Sequence, residues 1–383
     1  MVGRPEVSDA PFFAQWSEAS APRSLDSARA LTDRLSFTPP PSLAILGSKG
    51  KGTAAIGATR ALLDAGLDVV TVTSPSLVSN QERIRTNGVS LSADEYAFLA
   101  GVLARELPHL PTSSYLSPSG AYTVMGAWWA SQAGADVLVL EEGMGGATDE
   151  VSLFTHEGLA LTEVFREHVG ILGDSPLEIA RNLLGAGPAP LVASAPQCSE
   201  VADLVARVAD DWGAQLLGPV AWDHRNPLVG ASLGLGYALG NAYAPHSMPG
   251  LSRVGISSST QVFTPGRSSV HEGPAGRWFV DGAISPAGVE AACRAVPFDP
   301  AVVLGCWPRD KQWEQCADLA RRYWGSERVH LLATGTHLDF PPGLPRLADM
   351  KPCGDVVAIG TQSFIGEVLT HLGADTVWFP DRT

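Results

Sequence analysis

The apolar run LAIL at 43–46 leads directly into GSKGKGT at 47–53, and the alanine-rich stretch TAAIGATRALLDA follows at 53–65, stopping at Gly66. A strand-like run, a glycine turn and a helix-like stretch in that order are the beginning of a βα unit, and the order recurs along the chain. Strand-like runs fall at 43–46, 68–73, 136–141, 158–162 and 191–194, with helical patterns at 53–65, 121–133 and 199–212. A second alternation follows: strands at 277–280, 301–304, 329–332, 356–359 and 376–379, with helices starting near Pro286, Lys311 and Phe364. Such alternation predicts an α/β fold, a mostly parallel sheet covered on both faces.

At 383 residues the chain is longer than one core usually supports, so two domains are expected. The stretch 242–266, AYAPHSMPGLSRVGISSSTQVFTPG, is rich in Pro, Gly and Ser and shows no clear period. It is read as a linker between a nucleotide-binding domain at 1–241 and a smaller Rossmann-like α/β domain at 267–383.

Glycines in a strand-to-helix turn let the backbone approach a ligand, and the N–H groups of such a turn and helix start face an anion. Gly47, Ser48, Lys49, Gly50, Lys51, Gly52 and Thr53 are therefore candidate phosphate contacts, with Lys51 over the terminal phosphates and the Thr53 hydroxyl on Mg²⁺. The pattern departs from G-x-x-x-x-G-K-[ST], because Gly52 separates Lys51 from Thr53. Lys49 is read either as a second phosphate ligand or as a solvated loop cation. Glu141 closes the apolar run ADVLVLE, where a carboxylate serves a metal or simply ends a strand. Trp128 and Trp129 fit a helix core better than a stacking platform.

The formal net charge of -14 argues against a nucleic-acid backbone or an anionic membrane as partner. Five cysteines, 198, 293, 306, 316 and 353, are odd in number and form no C-x-x-C, so free thiols in a reducing compartment are expected. No signal-peptide pattern and no long apolar span is visible, and a soluble cytoplasmic protein is expected.

Taken together, the motifs resemble those of the folylpolyglutamate synthase and dihydrofolate synthase group of the Mur ligase superfamily. GSKGKGT is similar to its T-N-G-K-G-S, TSPSLV at 73–78 to T-S-P-H-L-V, and ERIRTNG at 82–88 to E-R-I-R-I-N-G. LEEGMGG at 140–146 resembles L-E-V-G-L-G-G, and LGDSPLEIAR at 172–181 resembles L-G-D-T-L-E-E-I-A-R. TPGR at 264–267, DGAISP at 281–286 and VVAIGTQSFIGEVL at 356–369 continue the series as P-G-R, D-G-A-H-N-P and V-x-x-G-S-x-x-x-x-G-E-V-L. The resemblance implies an ATP- and Mg²⁺-dependent ligase that phosphorylates a carboxylate and lets an amine attack the acyl phosphate. It implies Lys51 on the β- and γ-phosphates, Thr53 and Glu141 on a first Mg²⁺, and His168 on a second. Arg267 would reach the phosphates and Asp281 would hold the nucleotide, in an interdomain cleft. A monomer acting on small-molecule carboxylate and amine substrates is implied, with a partner protein left open.

The departures gather around the chemistry. Leu183 stands where the family has a carbamylated lysine, Ile284 and Ser285 replace His-Asn, Ala147 replaces an arginine beside a matching Asp149, and Ser76 replaces a histidine. One reading is a ligase retuned to a non-folate substrate such as a specialised metabolite, running on one Mg²⁺ or with Lys49 supplying the missing charge. The other is a degenerate nucleotide-binding module or non-catalytic subunit.

Overall fold

The computed structural model describes residues 9–15, 24–247, 262–274, 276–335 and 338–380. The chain divides into two compact units, Met1–Trp222 with Ala231–Thr260, and Asp223–Gly230 with Gln261–Thr383.

In the first unit the strands are β1 (Ser42–Leu46), β2 (Val69–Val72), β3 (Ile84–Thr86), β4 (Val89–Ser90), β5 (Val137–Glu141), β6 (His156–Leu161), β7 (Leu191–Ser194) and β8 (Gln215–Leu217). They form one sheet in the order β4-β3-β2-β5-β1-β6-β7-β8. From β2 to β8 every neighbour is parallel, and only the β3 and β4 edge is antiparallel. The central strand β1 sets Ala44 beside Leu140 on one side and Leu159 on the other. SLAIL and VLVLE are buried at every position, as a strand covered on both faces requires.

The helices of this unit are α1 (Ala10–Phe13), α2 (Asp26–Leu35), α3 (Lys51–Asp64), α4 (Ala93–Glu106), α5 (Pro118–Gln132), α6 (Pro176–Leu184), α7 (Ser199–Asp211) and most of α8 (Pro227–Ser247). α3 is buried from Thr53 to Leu63. It packs so closely against α8 that a side chain at Gly236 would collide with the Ala54 carbonyl. The helix behind the glycine turn is thus clamped on its way to the sheet, which fixes where the turn points. Trp128 and Trp129 both pack against this unit's core, Trp129 donating from Nε1 to Thr86 Oγ1 at 3.1 Å.

The second unit carries β9 (Ser269–Gly273), β10 (Gly276–Asp281), β11 (Val302–Cys306), β12 (Val329–Leu331) and β13 (Val356–Gly360) in the order β12-β11-β13-β10-β9. β9 is antiparallel to β10, and the rest are parallel. Helices α9 (Pro286–Ala295), α10 (Trp313–Trp324) and α11 (Gln362–Leu372) flank the sheet. Phe279, Val289, Val303, Trp307, Val357 and Ile359 belong to its core.

Two expectations need correction. Residues 376–379 form no strand: Trp378 and Phe379 are buried as apolar plugs, while Val377 N–H turns to its neighbour Asp375 Oδ1 at 3.0 Å instead of joining a ladder. Within the expected linker 242–266, residues 242–247 are the last turns of α8, and 248–261 lie outside the described residues. Among the described residues no helix is long and apolar enough to cross a membrane.

Candidate functional site

β1 lies between β5 and β6 while the chain next runs to β2 beyond β5, so the turn after β1 emerges where strand order reverses at the carboxyl edge of the sheet. There Gly50 caps α3 in the left-handed region, φ 88°, and a side chain on it would collide with Ser232 Oγ. No side chain caps α3, whereas Ser92, Ser117, Ser175, Ser285 and Thr361 each accept a backbone N–H at the start of α4, α5, α6, α9 and α11. The first N–H groups of α3 thus have no side-chain cap, as is also true of α2, α7 and α10.

Ser48 ties the turn to the segment after β6: its hydroxyl accepts from Phe165 N–H at 3.2 Å, and its N–H donates to the Glu163 carbonyl at 3.4 Å. Lys49 lies 5.9 Å from the centre of the Phe165 ring. Lys51 bends back into its own turn, donating from Nζ to the Gly47 carbonyl at 2.7 Å and standing 3.5 Å from Glu142 Oε2. Burial alone would lower the pKa of this ammonium, but the charges of Glu142, Glu141 and Glu167 outweigh it and hold the pKa above the ordinary lysine value.

Two consecutive carboxylates end β5, and they face different partners. Glu141 Oε2 accepts from Ser74 N–H at 2.9 Å and lies against the first turn of α3. A Cβ on Gly52 would stand 3.3 Å from that same oxygen. The glycine that separates Lys51 from Thr53 therefore makes room for the carboxylate of β5. Glu142, 2% exposed, accepts from Gly145 N–H with Oε1, while its Oε2 has no hydrogen-bond partner. Burial pushes the Glu142 carboxyl pKa upward against the pull of Lys51. Asp149 is fully used as a brace, accepting from the N–H groups of Gly143, Met144 and Val151.

Glu141, Gly52, Lys51 and the buried Thr53 thus meet at the first turn of α3, and His168 does not join them by any hydrogen bond among the described residues. It lies on an exposed loop at φ 46°, where its carbonyl accepts from Ile171 and Leu172 N–H. Among the described residues no three His, Cys, Asp or Glu side chains gather as a cation cage. A cation at this turn would be held by Thr53 and Glu141 with oxygens of its ligand completing the shell, a hard donor set suited to Mg²⁺.

The second unit holds the other two expected residues. Asp281 ends β10, 4% exposed, and accepts from the Ser268 hydroxyl at 2.7 Å and from the N–H groups of Ser268 and Ala283. Ser268 Oγ in turn accepts from Asn226 Nδ2 at 2.9 Å. Arg267 rests its guanidinium where a side chain on Gly282 would be, and reaches Gln362 Oε1 at 3.4 Å. Burial raises the Asp281 pKa, against the hydrogen bond from Ser268 and the charge of Arg267. Sequence reasoning missed Glu142, Ser74, Asn226 and Ser268. The doubled acid of LEE and the polar DHRN before α8 were the only local signals.

No family profile matches the chain. It is 35% identical over 182 residues to a probable bifunctional folylpolyglutamate synthase/dihydropteroate synthase of Halobacterium salinarum, covering 46% of this chain and 21% of that protein. It is 28% identical over 145 residues to the dihydrofolate synthase/folylpolyglutamate synthase of Bacillus subtilis, covering 37% and 34% of the two chains. The match thus spans about a fifth and about a third of these curated relatives. A solved complex of folylpolyglutamate synthase (FPGS) with AMPPCP superposes with a TM-score of 0.78 at 21% identity, over 95% of this chain and 100% of that one. The folylpolyglutamate synthase of Thermotoga maritima superposes with a TM-score of 0.75 at 16% identity, over 95% and 96%. At such identities these superpositions establish the fold, a two-domain architecture of the Mur-ligase kind.

Proposed function

We infer that this chain, a divergent member of the folylpolyglutamate synthase and dihydrofolate synthase group with the Mur-ligase fold, joins a carboxylate to an amine at the expense of ATP. The observation that carries the inference is the apposition of Lys51, Gly52 and Glu141 at an uncapped helix start. When bound, Mg·ATP supplies a phosphoryl group that turns a carboxylate oxygen into a leaving group, which an amine can then displace.

The chain's own contribution is charge and placement. Lys51 would neutralise phosphate oxygens, the N–H groups of the turn at Gly47, Lys49, Gly50 and Gly52 would cradle them, and Thr53 with Glu141 would hold Mg²⁺. Ser74 N–H keeps Glu141 aimed at the turn. In the second unit, Arg267 offers a guanidinium backed by Gly282 to an anionic group, and Asp281 holds the 264–268 turn that presents it. His168 is exposed beside Glu167, whose charge acts on Lys51, and would take part as a ligand of a second Mg²⁺.

The comparisons support the class of chemistry; the substrate is a finer proposal. Leu183 is 1% exposed and part of the core, Ile284 packs on the core of its unit, and Ser285 caps α9 through Gly288 N–H. Leu183 thus stands in place of a metal-ligating side chain, while Ile284 and Ser285 carry packing and capping side chains where the group has His-Asn. We propose on this basis a substrate other than folate.

The test is ADP release with Mg·ATP against a panel of carboxylates and amines, with dihydropteroate or folate plus glutamate as one arm. ADP and an amide product on any pair support ligation, and which arm responds decides the substrate. Mg·ATP binding without turnover on the whole panel would count against a ligase.

A further inference from the structure

Glu142 is the buried charge at this site that phosphate and metal contacts leave unused. Its Oε1 is held by Gly145 N–H, while its Oε2, without a hydrogen bond, stands 3.5 Å from Lys51 Nζ. Lys51 is thereby occupied twice inside its own turn, by the Gly47 carbonyl and by this carboxylate. Glu141, Glu142 and Glu167 all act electrostatically on that one ammonium. Three carboxylates thus already act on the lysine before any phosphate arrives.

A metal-free polyphosphate would bring further negative charge to this spot and compete with Glu142 for the lysine. A magnesium-bound one arrives with much of its charge cancelled and with a cation for Glu141 to hold. We propose that Glu142 is a positioning residue that holds Lys51 back from metal-free phosphate, so that the turn favours nucleotide carrying its divalent cation over metal-free nucleotide. This rests on the nucleotide reading of the turn. It goes beyond that reading by assigning the metal preference to a residue that neither the metal nor the phosphate need touch.

The experiment is titration of ADP into the wild type and into Glu142→Gln, each in EDTA and in saturating Mg²⁺. Glutamine keeps an oxygen for Gly145 N–H and removes only the charge. Metal-free ADP should bind Glu142→Gln at least about tenfold more tightly than wild type, while Mg·ADP affinity changes by less than about threefold. An unchanged ratio of metal-free to metal-loaded affinity, or equal losses in both, overturns the proposal, since a merely structural role would move the two together. Glu142→Asp, one methylene shorter, keeps the test open if the glutamine variant does not fold: it should tighten metal-free binding by at least about threefold, and no change overturns the proposal. Wild type that fails to bind Mg·ADP removes the nucleotide reading itself, a result separate from wild type that binds normally with an inert Glu142.

Discussion

Glu142 after β5 and Asp281 at the end of β10 are both strand-end carboxylates, 2% and 4% exposed, and burial raises the pKa of each. Their partners differ. Asp281 is enclosed by neutral donors, the Ser268 hydroxyl and two backbone N–H groups, which do not leave. Glu142 has one neutral donor and one cation, Lys51, which the proposed nucleotide would also draw on. Equal burial and equal charge therefore give a fixed brace in one unit and a charge able to change partner in the other. Removing the shared cation tests this most severely. Lys51→Ala should weaken Mg·ATP binding on the order of a thousandfold, because phosphate loses its neutralising cation at a site still lined by carboxylates. Calorimetric affinity within about threefold of wild type would break the comparison at its root.

His156 sharpens it with a group of the opposite sign. Its ring is fixed between Ser42 Oγ at 2.8 Å and the Val151 carbonyl at 3.0 Å, and burial pushes its pKa down from 6.5 to about 4. Below pH 6.5 the unfolded chain takes up a proton that the folded ring refuses, so stability falls as pH drops from 6.5 toward 4 and levels off below that. The loss should approach about 3 kcal/mol and disappear in His156→Asn, measured by denaturant unfolding between about pH 7 and about pH 4.5. Neither raised carboxyl adds to this loss, because a carboxylate with an elevated folded pKa favours the fold on the acid side.

Asp281→Ala comes next. Three donors would lose their acceptor inside the second unit, at a cost of about 2 kcal/mol in unfolding free energy. Glu142→Gln should cost less than this in the same measurement, since Gly145 N–H keeps an acceptor and Lys51, though it loses a buried counter-charge, keeps the Gly47 carbonyl and the charge of Glu141. Equal destabilisation by the two substitutions would erase the distinction between brace and movable charge.

How much of this was legible depended on whether the residues that act together are adjacent in sequence. The turn at 47–53 is contiguous, and β1, the turn and α3 follow from it directly. Asp281 could be picked out as a strand end, but its donor Ser268 and the Asn226 behind it are brought there only by folding. α8 was missed because GASLGLGYALG has no amphipathic face: buried against α3, it uses glycines for close approach where they ordinarily signal a loop. The TVWF pattern at 376–379 misled in the other direction, since apolar residues that plug a core need no ladder. The ordering of the paired acids in LEE could not be read either, because which carboxylate faces Gly52 and which faces Lys51 is set by the strand's exit angle.

The smallest expected effect tests that last assignment, and with it the extra glycine of the turn. A methyl group at position 52 would stand 3.3 Å from Glu141 Oε2, close enough that the carboxylate must shift by a few tenths of an ångström while Ser74 N–H holds it from the other side. Glycine to alanine inside a helix start otherwise favours folding, by roughly 0.5–1 kcal/mol. Gly52→Ala should therefore leave thermal stability unchanged or slightly raised while weakening Mg²⁺-dependent nucleotide binding about threefold to tenfold. Metal-free binding, which does not use Glu141, should hold constant. If both binding modes weaken together, the methyl is obstructing phosphate and not Glu141, and the glycine belongs to the cradle alone. If only the metal-dependent mode weakens, the second glycine of GKG exists to admit the carboxylate of β5, and the division of labour between Glu141 and Glu142 follows from it.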